Sequence, residues 1–471
     1  MDGENQITSL NSVLQGLELN RITSTFTEPI DHTLKVPHEV WIKIGTYLDP
    51  GSLCNLSAVN SRFYNICQDP VLWTNISILG DAISSTKTII TLLRRAYLLV
   101  DLSLKCRDDI SDLLAAVAEH CKKIRKLKVR FCPILTYLDL KNLTENCLEL
   151  EYLDLKCTGC LNQDEDRRVN DCFRYYSTGT NCFSGLLKNF KNLTYLNLFS
   201  CKPLTNIGLQ EIADGCTSLT SLNIDEVTYL SDTSFIYFVD SVKDRFQELW
   251  IDGETFTDAA FSKLGEIKKL RVLSISFADS MQSAGLRSIS RLSNLVWLKV
   301  GKGKLQSSDF VQMFSDMKLQ KLKHLDLSEC SKLSDLGLIM ISLNCLKLKN
   351  LVLSWCWELT DVGVHSVVRH CSQLSHLNLC GVVKLLGEFL RDIPRKLPYL
   401  ESLDLEQCPN IELSDLQDLL RKNTYLVIKE YYGDQVLPNS SLQDILMEHP
   451  GIHFVSFDSE SENDEKSNEE E

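Results

Sequence analysis

The sequence predicts an α/β horseshoe: a curved solenoid with a concave parallel β-sheet and convex helices, fronted by a short N-terminal domain of three helices. Three observations carry this. A motif of about 26 residues returns along most of the chain. Each copy joins a short leucine-rich stretch suited to a strand with an apolar stretch at helical spacing. Ahead of the copies stands "VPHEVWIKIGTYLDPGSLCNLSAVNSRFYN" (36–65), three apolar helices in a segment too small to bury them alone.

The motif is plainest in "LTYLNLFSCKPLTNIGLQEIADGC" (193–216), "LKHLDLSECSKLSDLGLIMISLNC" (322–345) and "LKNLVLSWCWELTDVGVHSVVRHC" (348–371). All three fit L-x-x-L-x-L-x-x-C-x-x-L-[TS]-[DN]-x-G-[LV], which is a leucine-rich repeat of the cysteine-containing kind. Its first apolar slot recurs at Trp73, Leu99, Ile124, Leu150, Leu193, Leu219, Phe246, Leu270, Leu295, Leu322, Leu348, Leu374 and Leu400. The Leu150–Leu193 interval is long by about 17 residues and marks an insertion at 158–183. A degenerate unit at Leu426 is expected to cap the array, giving a solenoid of about 13 repeats over 73–457. The L-x-L core is a strand whose side chains alternate inward and outward. Thr205, Ser334 and Thr360, each followed by Asn or Asp, are expected N-caps of the convex helices. No unit covers its own core, so neighbours must stack.

The repeat also accounts for the cysteines. Ten of the 18 fall in two slots: Cys121, Cys147, Cys216, Cys345 and Cys371 before a strand, and Cys132, Cys201, Cys330, Cys356 and Cys408 after one. Thiols there are expected to act as small buried hydrophobes. The first 20 residues lack a basic start and apolar core, and "TIITLLRRAYLLVDLSL" is broken by Arg94 and Arg95. Reduced thiols, a cytoplasmic or nuclear address and no membrane partner are therefore expected. The insertion holds Cys157-x-x-Cys160, Cys172 and Cys182, but a single CxxC with loose spacing points to a loop rather than a metal site.

Net charge is −14, of which the tail 458–471, with eight acids and one lysine, supplies −7. That tail and a polar leader at 1–33, with Ile7, Leu10, Leu14 and Leu17 at helical spacing, are expected to be disordered or flexible. The remaining charge is mild and gives no reason to expect nucleic acid. No metalloprotease His-Glu pair, nucleophile elbow or dinucleotide fingerprint is present, and "GKGKLQSSD" (301–309) sits where a turn belongs. No catalytic residue and no cofactor are expected.

Side chains between the apolar slots of each strand should line the concave face. Two features stand out there as candidate partner contacts. One is the basic run "KKIRKLKVR" (122–130), with Lys126, Lys128 and Arg130 facing inward, extended by Lys105 and Lys156. It suits an acidic or phosphorylated motif, a solvated face or a nuclear-import signal. The other is a set of aromatics, Tyr152, Tyr195, Phe199, Trp250 and Trp297, with Lys299 beside them. Exposed rings of this kind anchor interfaces, or pack locally under a loop. The acidic tail, with Ser459, Ser461 and Ser467 each three residues before an acid, is long enough to lie back on the basic run.

In the opening stretch, Pro37 suits a first helical turn, Val40, Ile44, Tyr47 and Leu48 share a face, and "DPGS" (49–52) turns the chain. Leu53, Leu56 and Val59 repeat the spacing, and a last helix carries Phe63 and Ile66. With Pro37-x-Glu39, Tyr47-Leu48-Asp49, Arg62-Phe63 and the closing "DPVLW" (69–73), residues 34–72 resemble an F-box. His38 stands where an acid is frequent and Phe63 where Trp is common. An F-box followed by leucine-rich repeats resembles the substrate receptors of SCF-type cullin-RING ubiquitin ligases. The resemblance implies that Pro37, Val40, Ile44, Leu48, Leu53, Leu56 and Val59 pack into a Skp-type adaptor, which tethers cullin and RING subunits. It further implies a protein substrate on the concave face, held for ubiquitination by other subunits. The residues themselves leave open a helical cap for the solenoid's first edge. A non-degradative scaffold or a target-wrapping regulator would use the same repeats.

Overall fold

In the computed structural model the described residues are 36–80, 85–132, 135–158, 189–201, 204–315 and 319–436. They form one parallel sheet of fourteen strands in chain order. The strands are β1 (Asn75–Leu79), β2 (Asp101–Lys105), β3 (Lys126–Arg130), β4 (Tyr152–Asp154), β5 (Tyr195–Asn197), β6 (Ser221–Ile224) and β7 (Glu248–Asp252). They continue with β8 (Val272–Ser276), β9 (Trp297–Val300), β10 (His324–Asp326), β11 (Asn350–Val352), β12 (His376–Asn378), β13 (Ser402–Asp404) and β14 (Val427–Lys429). Each predicted slot from Trp73 to Leu400 is followed by a strand, and β14, beside the buried Leu426, closes the row. No helix among the described residues is long and apolar enough to cross a membrane.

Register follows from the leucines. Leu325, Leu351, Leu377 and Leu403 stand in line across β10 to β13, all buried. Slipping one strand by a residue would turn this column outward, so every repeat fixes its neighbour. Strands end where an Asp or Asn side chain folds onto the backbone. Oδ1 of Asn197, Asp326 and Asn378 accepts from the N–H two residues on, at 2.9 Å in each case. The residue next in line takes a left-handed conformation, as at Ser200 (φ 56°) and Glu329 (φ 61°). Gly381 sits in the same place (φ 70°), and a Cβ there would also lie 2.5 Å from the Trp355 ring.

The [DN]-x-G part of the motif proves to be a clasp between repeats. Asp335 Oδ1 accepts from the N–H groups of Thr360 (2.9 Å) and Gly363 (3.1 Å) in the next repeat, and its Oδ2 from Thr360 Oγ1 (2.6 Å). Asp258 does the same for Gln282 and Gly285 at 2.8 and 2.9 Å. A Cβ on Gly363 would stand 2.5 Å from Asp335 Oδ1, so glycine is what lets the two backbones meet. The expected capping is only partly present. Thr360 Oγ1 accepts from the Val362 N–H, whereas Thr205 and Ser334 make no side-chain cap bond. The neighbouring repeat's Asp and Asn supply the stronger anchor.

All ten slot cysteines are buried. Cys330, Cys356 and Cys408 each direct their Sγ at a carbonyl of the preceding repeat, 3.2 Å away. Burial pushes the thiols of Cys345, Cys371 and Cys408 up to about 12. Of the insertion's cysteines only Cys157 lies within the described residues, which also exclude the leader at 1–33 and the tail at 458–471.

The N-terminal domain comprises helices His38–Gly45, Pro50–Ser57 and Ser61–Ile66 and a 3-10 turn at Pro70–Trp73. "DPGS", expected as a turn, is instead the start of the second helix. Asp49 caps it, accepting from Ser52 N–H (3.0 Å) and Oγ (2.6 Å). Leu53, Phe63 and Ile66 belong to the same continuous core as Trp73, Ile76 and the repeat leucines. Trp73 Nε1 donates to the Cys67 carbonyl at 2.7 Å, binding the third helix to the entry of β1.

Two outcomes follow. Asp335→Ala and Gly363→Ala should each lower unfolding free energy by about 1–3 kcal/mol in chemical denaturation, through orphaned buried donors or displaced backbone. Asp335→Asn, which keeps an acceptor, should cost less. In native-state alkylation with iodoacetamide near neutral pH, exposed Cys106 should react while the ten slot cysteines stay unmodified, because burial keeps the reagent from their thiols.

Candidate interaction surfaces

The first surface is the outer side of the N-terminal helices. Val40 and Ile44, one turn apart, are 44% and 40% exposed, and Val59 is 64% exposed. Pro37 is exposed as well, while Leu48 and Leu56 are half-buried. Leu53 departs from the expectation. It is fully buried, its side chain lying against Gly45 beside Leu72, so it supports the face and cannot touch a partner. Tyr47, 78% exposed with Lys43 Nζ 5.4 Å from its ring centroid, extends the apolar surface beyond the expected residues. Its place on the Val40–Ile44 side of the helix was the available signal. Solvent-exposed apolar side chains on a domain whose opposite side is already buried make this a candidate docking surface.

The second surface is the concave sheet, and here the side chains are more committed to one another than their spacing suggests. Tyr152 and Tyr195, paired in register on β4 and β5, stack with centroids 4.1 Å apart and planes 1° from parallel. Burial, then the Tyr152 hydroxyl, raises the Tyr195 pKa. Lys128 Nζ lies 3.3 Å from the Asp101 carboxylate and 5.8 Å from the Tyr152 centroid. Arg130 Nε donates to Asp154 Oδ2 at 2.8 Å and its Nη2 reaches the same oxygen. That carboxylate is wholly buried, and its hydrogen bond raises the Arg130 pKa further. Lys156 Nζ sits 4.3 Å from the Phe199 centroid, and Lys126 is exposed. The basic run is thus partly neutralised by its own neighbours.

The aromatics expected to be exposed are half-buried. Trp250 lines up with Asn223 and Ser274, and Trp297 with Val272 and His324, so smaller residues flank each ring. Lys299 is half-buried in register with Ser274 and Asp326. The centre of the face is acidic, which the sequence-based expectation did not single out. Ser276 Oγ donates to Asp225 Oδ2 at 3.0 Å, and burial raises the pKa of both Asp225 and Asp252. Among the described residues no group of three or more His, Cys, Asp or Glu side chains could hold a metal.

Comparison with known proteins agrees with this geometry. Residues 33–79 match the F-box-like family, and residues 191–213 and 318–342 match the leucine-rich-repeat family. The chain has the architecture of the F-box/leucine-rich-repeat proteins. A chain of the yeast Rad7 and Elc1 complex shares the fold with a TM-score of 0.54 at 16% identity, over 90% of this chain and 92% of that one. An internalin from Listeria monocytogenes is similar at 17% identity and a TM-score of 0.44, over 75% of this chain and 86% of that one.

The pairing on the concave face makes a sharp distinction. Arg130→Ala strands a buried carboxylate and should destabilise the chain by on the order of 1–3 kcal/mol. Lys126→Ala should stay within about 0.5 kcal/mol of wild type in the same denaturation assay.

Proposed function

We propose that this chain is the substrate-recognition subunit of an SCF-type ubiquitin ligase. The observation that carries the reading is the two-faced F-box-like domain. One side is continuous with the solenoid core through Leu53, Phe63 and Ile66; the other leaves Val40, Ile44, Tyr47 and Val59 in solvent. The first side rigidly joins the domain to the repeats, and the second offers a helical apolar surface to a Skp-type adaptor. The cap reading and the adaptor reading therefore apply to opposite sides of one domain. A chain of similar fold comes from a complex of two proteins, which supports a solenoid that works with a bound partner.

In this account the adaptor leads to cullin and RING subunits, and the concave face holds a protein substrate. The chain contributes no reacting group. Its effect is proximity: binding raises the local concentration of a substrate lysine near a conjugating enzyme supplied by the complex. Lys126, Lys156, Phe199, Trp250, Trp297 and Lys299 are among the concave side chains that keep some surface.

Affinity for purified Skp-type adaptor tests the reading. The double substitution Val40→Asp/Ile44→Asp places two carboxylates on the apolar side and should weaken binding at least about 100-fold, equivalent to about 2.7 kcal/mol. Circular dichroism of the repeats should be unchanged. Leu53→Ala should behave differently, lowering stability by about 2–5 kcal/mol as a core truncation. Undiminished adaptor binding by the double variant, or none by the wild type, would overturn the assignment and favour a scaffold.

A further inference from the structure

We propose that the cationic end of the concave face is a seat for the chain's own acidic segment, 458–471. Among the described residues, three lysines at this end have no carboxylate partner: Lys105, Lys126 and Lys156. Lys128 and Arg130 stand between them, already paired with Asp101 and Asp154. Two of the three unpaired lysines are propped on ring faces of the next repeat. Lys105 Nζ is 5.5 Å from the Phe131 centroid and Lys156 Nζ 4.3 Å from that of Phe199. Side chains steadied in this way lose less freedom when they meet an anion. The seat would take a run of carboxylates, one to each free ammonium, with Tyr152, Tyr195 and Phe199 as its floor.

The rest of the face carries more acids than bases. Beyond β5 the concave side carries Asp225, Glu248, Asp252, Asp404 and Glu406, and Lys429, near the described C-terminal end, is already paired with Asp404. Between β14 and β4 the cations Lys299, on β9, and Lys302, just after it, stand among these carboxylates, whereas at β2 to β4 three unpaired lysines lie together. Length allows the segment to reach them. β3 and β14 are eleven strand steps apart, about 53 Å along the sheet at ~4.8 Å per step. Val436 is the last described residue, and residues 437–458 can span about 70 Å at ~3.3 Å each. The segment then brings eight acids against one lysine. Phosphate on Ser459, Ser461 or Ser467 would add about −1.5 to −2 each and tighten the contact. The contact lies on part of the surface assigned above to substrate.

Zero-length carbodiimide cross-linking of the full chain, with peptide mapping, tests this. Cross-links from the carboxylates of 458–471 to Lys105, Lys126 or Lys156 are expected, falling several-fold from about 50 to about 300 mM salt as screening sets in. Links confined to Lys422 and Lys429, or formed only between isotopically distinct copies, would overturn it. A second measurement uses a fluorescein-labelled synthetic peptide of sequence 458–471 added to the full chain. A full chain with Glu469→Gln, Glu470→Gln, Glu471→Gln, Glu460→Gln and Asp458→Asn should bind the peptide at least about threefold tighter than wild type, because an intramolecular competitor has gone. Equal binding to both would show a surface open to some other protein's acidic segment and would also overturn the proposal. Neither readout involves the adaptor, so failure here is separable from failure of the F-box reading.

Discussion

Everything in this molecule depends on one constraint: no repeat can bury its own leucines. A strand of three to five residues and one helix leave an apolar side open at each end of the unit. Only the neighbouring repeat closes it. The column Leu325, Leu351, Leu377, Leu403 is the visible result, and it fixes both register and curvature. The Asp335 and Asp258 clasps act on the same joints with hydrogen bonds. At the N-terminal edge the open side is closed by the F-box-like helices, whose Leu53, Phe63 and Ile66 enter the common core. A domain too small to fold alone is thereby made rigid, and its remaining apolar side chains stay exposed on the opposite side.

The same economy limits what the concave face can offer. Asp154, Asn197, Asp326 and Asn378 are spent on ending strands, and Asp154 also holds Arg130. Tyr152 and Tyr195 cover one another. What remains is a sparse set of side chains on a face of divided charge, cationic toward β2–β4 and acidic from β6 onward. A protein bound on this face, as proposed, would have to match that polarity along the sheet, which is a stronger filter than any single side chain provides. Long surfaces with few free groups favour selectivity by pattern over affinity by contact.

Much of this was legible in the sequence because the repeat is a local pattern. Slot spacing placed thirteen strands, and the two cysteine positions were correctly assigned to the core. What was not legible lies between repeats. Asp335 looks like an ordinary first-turn acid until Thr360 and Gly363, a full repeat away, are seen to share it. Lys128 and Arg130 look free because their partners, Asp101 and Asp154, belong to adjacent strands and are defined only by register. Leu53 shares its spacing with Leu56 and Val59, and only the packing of the first helix and Leu72 over it sends it inward. The aromatics were judged by position alone, whereas their burial depends on how large the residues on flanking strands are.

Amide hydrogen exchange of the full chain, with and without saturating Skp-type adaptor, tests the central claim most directly. A rigid solenoid presenting a preformed helical face predicts new protection confined to about residues 37–65, with the amides of β3 to β13 unchanged. Protection spread across the concave strands, with none in the first helix, would mean that the adaptor binds the repeats. The two-faced account of the N-terminal domain would then be contradicted.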